Sequence, residues 1–99
     1  MKLMFTQKDC FQTKVARKRF AEFLSFTVNG CFGFEPYCPN KEDTTFWVID
    51  IGNDWKVKFD EQDWSTFEII YRYEHPSNKA EETLASWLVF RTKAIIIAN

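Results

Sequence analysis

Glycine, proline and histidine are scarce in this chain of 99 residues, with three, three and one of each. Gly30, Gly33 and Gly52 lie too far apart to form a glycine-rich phosphate loop. The lone His75 directly precedes Pro76, where a turn residue is the simpler role than a catalytic base. Cysteine is sparse and odd in number: Cys10, Cys31 and Cys38. An odd count argues against a secreted disulfide framework and for reduced thiols in a cytoplasm. The nearest pair, Cys31 and Cys38, has six residues between its members, unlike the close pairs of structural zinc sites. No metal and no cofactor are expected. No run approaches the roughly 20 apolar residues needed to span a bilayer. Met1-Lys2-Leu3-Met4-Phe5 also lacks the apolar run and cleavage site of a signal peptide. A soluble, cytoplasmic protein with no membrane contact is the expectation.

Aromatic residues are abundant by contrast: eleven Phe, four Trp and three Tyr. A core of this size cannot hide them all, so some are expected at the surface, where Trp and Tyr anchor partners. Net charge is only −1, but it is unevenly spread. Residues 1–20 carry six bases and one acid, and residues 35–82 carry twelve acids and five bases. Two readings stay open: a surface of two signs, or two segments lying side by side and neutralising each other.

The hydrophobic pattern gives an α+β fold. Thr6 and Asp9 resemble a capping box, so a helix is expected from Gln7. At helical spacing Phe11, Val15, Ala16, Phe20, Phe23, Leu24 and Phe26 share one side, and Lys14, Arg17, Lys18 and Ala21 the other. The helix closes either at Gly30 or earlier, near Phe23. In the second case, which β-branched Thr27 and Val28 favour, Asn29-Gly30 turns a short hairpin. Residues 35–43, with two prolines, form a loop. Three strands follow. One covers Thr45–Ile51. The next alternates Trp55, Val57 and Phe59 with Lys56 and Lys58. The third, from about Ser65 to Glu74, alternates Phe67, Ile69 and Tyr71 with Glu68 and Ile70. Their short connections require an antiparallel meander. A second helix is expected from Lys79 to about Thr92, and Ala94-Ile95-Ile96-Ile97 either extends it or adds a strand. The chain reads as a single domain without internal repeats: an antiparallel meander of three to five strands packed against two helices, with Phe11, Val15, Phe20, Leu84 and Leu88 over Phe67, Ile69 and Tyr71.

The element order of helix, three-strand meander and helix resembles the double-stranded-RNA-binding domains over residues 7–92, with Pro36 and Ser77-Asn78-Lys79-Ala80 in loosely similar places. That family carries a lysine cluster at the start of its last helix. Here Lys79 is followed by Glu81 and Glu82, which repel phosphate, so the RNA-binding function does not carry over. In size and character the chain also resembles small immunity proteins against nuclease toxins and small phage inhibitors of host defence.

Two surfaces are candidates for function. Asp54, Trp55, Asp60, Glu61, Asp63 and Trp64 surround the turns of the meander, where carboxylates beside an aromatic suit docking onto a basic protein site. A turn of that length requires only one or two such acids, so the others are expected to serve a partner. Lys14, Arg17 and Lys18 form a positive stripe that suits phosphate contacts. Asp50 joins Asp54, Asp60, Glu61 and Asp63 as a solvated carboxylate without the burial that acid–base catalysis needs. The first expectation is a non-enzymatic protein-binding inhibitor, monomeric or homodimeric. The alternative is a nucleic-acid-binding module using the basic helix.

Overall fold

The computed structural model describes residues 1–7, 10–29, 35–49, 55–71 and 86–98. Its strands are β1 (Lys2–Met4), β2 (Phe46–Val48), β3 (Trp55–Phe59), β4 (Thr66–Tyr71) and β5 (Ile95–Ala98). Helix α1 is Lys14–Asn29, and residues 86–92 form a second helix, α2. The fold is α+β: the described residues form one antiparallel sheet of five strands in the order β2-β3-β4-β1-β5, packed by two helices.

The alternation read in β3 and β4 is present. Trp55, Val57, Phe59, Phe67 and Ile69 are buried, while Lys58 is exposed and Glu68 half-buried. Facing pairs Val57–Ile69 and Phe59–Phe67 put these side chains on one sheet face, and Trp47 opposite Val57 and Leu3 opposite Phe67 extend it. Phe11 closes over this face. Its ring centroid lies 4.6 Å from Phe59, 4.9 Å from Phe20, 5.1 Å from Phe5 and 5.7 Å from Phe67. Trp87 of α2 lies against Phe23 of α1 at 4.8 Å, so the helices meet through aromatic rings.

Several elements differ from the sequence reading. The first helix begins at Lys14 rather than Gln7, because Thr13 is its cap: the Ala16 amide donates to Thr13 Oγ1 at 3.1 Å. Its buried face is also turned from the expected arc. Arg17, Ala21, Leu24 and Ser25 are buried, while Val15 and Phe26 are exposed. The cause is Arg17, whose guanidinium finds carbonyl and hydroxyl acceptors inside the fold and so draws that side of the helix inward. The hairpin reading fails at Phe26-Thr27-Val28, which are helical. Thr27 is accommodated by donating its hydroxyl to the Phe23 carbonyl at 2.9 Å. Gly30 lies outside the described residues, as do Gly52, Leu84 and the expected start of the second helix.

Two strands complete the sheet. β1 lies between β4 and β5, antiparallel to both. The apolar tail resolves as β5, with a register shift opposite Lys2 and Leu3. Lys93, at φ 57°, turns the chain from α2 into β5 while its amide donates to the Val89 carbonyl at 3.0 Å.

Candidate functional site

The turn joining β3 to β4 is built by its own acids. Asp60 Oδ1 accepts the amides of Gln62 at 2.8 Å and Asp63 at 3.1 Å. Asp63 Oδ1 accepts the amide and hydroxyl of Ser65 at 3.2 and 2.6 Å, and its Oδ2 accepts the Thr66 hydroxyl at 2.9 Å. The Trp64 indole N–H donates to the Glu61 carbonyl at 2.6 Å, and its ring packs half-buried against the core. Asx-type bonding of this kind fixes the turn without a glycine.

The same construction precedes β2. Asn40 Oδ1 accepts the amides of Glu42 and Asp43 at 3.1 and 3.4 Å. Asp43 Oδ1 accepts the amide and hydroxyl of Thr45 at 3.1 and 2.5 Å. The Trp47 indole N–H donates to the Thr44 carbonyl at 2.9 Å. The chain therefore repeats one device, Asn40-x-x-Asp43-x-Thr45 and Asp60-x-x-Asp63-x-Ser65, each before a strand. The spacing was visible in the sequence, and it is the signal that would have assigned these acids to the turn.

This geometry redistributes the candidate residues. Asp60 and Asp63 hold the turn together and carry its negative charge at the same time. Glu61 and Gln62 are exposed at its tip. Trp55 lies in the core, on the buried side of β3, and does not stand at the surface beside the turn. Asp54 and Asp50 lie outside the described residues. On the open sheet face Lys58, Glu68 and Lys2 occupy facing positions of β3, β4 and β1. The basic first segment and the acidic meander thus alternate in charge across the sheet at this row. Together with Glu61 and Gln62 they line a shallow concavity of about 440 Å³.

The positive stripe is also redrawn. Lys14 and Lys18 are exposed on the first turns of α1, but Arg17 is buried and bonded to Thr44 and Phe11. Arg19, exposed, lines a second groove of about 580 Å³ floored by Phe5, Phe11, Phe20 and Phe23, with Cys10 and Lys93 also on its wall.

Two of the described titratable groups are displaced from their ordinary values. The Thr45 hydroxyl and amide hold the Asp43 carboxyl below its ordinary range against an opposing desolvation, and Arg17 and Lys58 add smaller lowering effects. A carboxyl so held stays ionised at neutral pH. Burial pushes the Cys38 thiol up, opposed by its bond to the Asn40 carbonyl and aided by the Asp43 charge, so it is not an activated nucleophile. The Cys10 thiol donates to the Gln7 carbonyl at 2.7 Å, Cys38 is a free thiol, and Cys31 and His75 lie outside the described residues. Among the described residues no group of three His, Cys, Asp or Glu side chains could hold a metal ion, and no helix is long and apolar enough to cross a membrane. No family model, no curated protein and no solved structure matches the chain.

Proposed function

We propose that this chain is a protein-binding domain that acts by occupying a partner's basic surface, without chemistry of its own. In this it works as the small immunity proteins and phage inhibitors it resembles in size and character. The observation that carries the reading is the turn at Asp60–Thr66. Its backbone is fixed by its own carboxylates, and it offers three acids with Glu61 and Gln62 outermost. A rigid acidic loop loses little entropy on docking and steers encounter with a basic site. The free thiol of Cys38 suits a reducing compartment such as the cytoplasm.

The nucleic-acid reading rests on Lys14, Lys18 and Arg19, since Arg17 is committed to the interior. Two exposed lysines and one arginine give a weak phosphate footprint.

A photo-crosslinking residue at Gln62, expressed in the native host, tests the proposal. The expected result is a discrete protein adduct that Glu61→Lys weakens at least tenfold, since this change leaves the turn's acceptors in place. No adduct at position 62, together with nucleic-acid retention that Lys14→Glu with Lys18→Glu abolishes, overturns it in favour of the alternative.

A further inference from the structure

We propose that β5 is the contact strand of a homodimer, in which the outer edges of two copies pair antiparallel about a two-fold axis and join two five-stranded sheets into one. β5 is the terminal strand of the sheet, and among the described residues no strand pairs with its outer side. Backbone N–H and C=O groups along such an edge are a template for another strand. The opposite edge is partly covered. Tyr37 bridges Val48 of β2 through two backbone hydrogen bonds of 2.8 and 2.7 Å.

Edge strands of monomers are usually guarded by a lysine or a proline. Ile95–Ala98 contains neither, and no charge of any kind. Ile95, Ile96 and Ile97 keep 46, 42 and 47% of their surface exposed. Val89 and Phe90, on the helix that feeds β5, keep 38 and 79%. These five side chains present on the order of 500 Å² of largely apolar surface, large for a small monomer. A standard interface buries about 800 Å² per partner, so these side chains and the edge backbone of β5 would have to contribute together to one side of a dimer.

The chemistry of the edge selects the occupant. An uncharged strand of consecutive isoleucines is met best by another such strand, and β5 of a second copy supplies one. A two-fold axis through β5 sets Ile against Ile. It also sends the flanking Lys93 residues to opposite ends, roughly 20 Å apart, beyond the screening distance in physiological salt. A net charge of −1 adds little repulsion between copies. β5 has only four residues and carries the register shift, which limits the ladder. Val89 and Phe90 therefore contribute much of the contact, and the association is reversible. The dimer leaves the acidic turn free and is independent of the function proposed for it.

Sedimentation of the full chain from low to several hundred micromolar tests this. A monomer–dimer equilibrium is expected, abolished by Ile95→Glu with Phe90→Ser. Hydrogen exchange of the wild-type chain at both ends of that range supplies a reading that needs no variant. Amides of residues 95–98 should gain at least tenfold protection at the high concentration, while those of β2 stay unchanged. A monomer throughout, a dimer that survives the double variant in folded form, or a dimer without added protection in β5 overturns the proposal.

Discussion

Arg17 and Thr44 are joined three times over. The guanidinium Nε donates to the Thr44 carbonyl and hydroxyl at 3.1 Å each, and Nη2 donates to the same hydroxyl at 2.8 Å. The two residues are buried and lie in different elements, so the contact pins α1 to the turn before β2. Thr44→Val removes the hydroxyl while keeping the shape, and it leaves a buried cation short of acceptors. A loss of about 1.5–3 kcal/mol in urea unfolding is expected. Arg17→Met, which removes the charge together with its need for partners, should cost less.

Phe11 touches four other phenylalanine rings although it lies before the first helix turn. Phe11→Ala should destabilise by about 3–5 kcal/mol, a large share of a small domain's total. Phe11→Leu should lose about 1.5 kcal/mol or less. Thermal unfolding followed by near-ultraviolet dichroism would separate the two.

The lowered Asp43 carboxyl has a definite sign in pH dependence. Its folded value lies below its unfolded one, so its contribution is present above the ordinary Asp range and is lost as pH falls through the folded value. Thr45→Val removes the largest cause, the hydroxyl bond. Its carboxyl carbon resonance should then titrate at higher pH than in the wild type. The wild type's stability advantage over the variant should shrink as pH falls below about 4.

Lys93 occupies the left-handed region without being glycine. Lys93→Gly relieves the steric penalty but adds freedom to the unfolded chain, so a net gain of about 0.5–1 kcal/mol is expected. An equal or greater gain with Lys93→Ala would show that the lysine side chain, rather than the backbone angle, limits stability.

The central strands were legible because one face is wholly buried. Trp55, Val57 and Phe59 alternate with lysines, and no other register keeps those lysines wet. β1 left no such trace, since Lys2–Met4 contributes only Leu3 to the core. The run Ile95–Ile97 suits helix and strand alike, and only its pairing with β1 resolves it. The orientation of α1 was misread because an arginine counts as a solvent marker unless its acceptors are known, and these come from the distant Thr44 and the nearby Phe11 carbonyl. The acidic turn was found, but its surplus of acids was overstated. Asp60 and Asp63 look dispensable until the matching spacing at Asn40 and Asp43 shows what they bond.

The place of β1 between β4 and β5 bears on the order of assembly. Among the described strands Lys2–Met4 comes first in the chain, yet its partners are Thr66–Glu68 and Ile95–Ala98. The β2-β3-β4 meander can zip up locally while the chain is still growing. β1 must then return to the edge of β4, and β5 closes over β1. A high share of long-range pairing of this kind slows folding. Until β1 and β5 are in place, the outer edge of β4 stays open beside the apolar face, and this is the interval in which the chain is most exposed to aggregation.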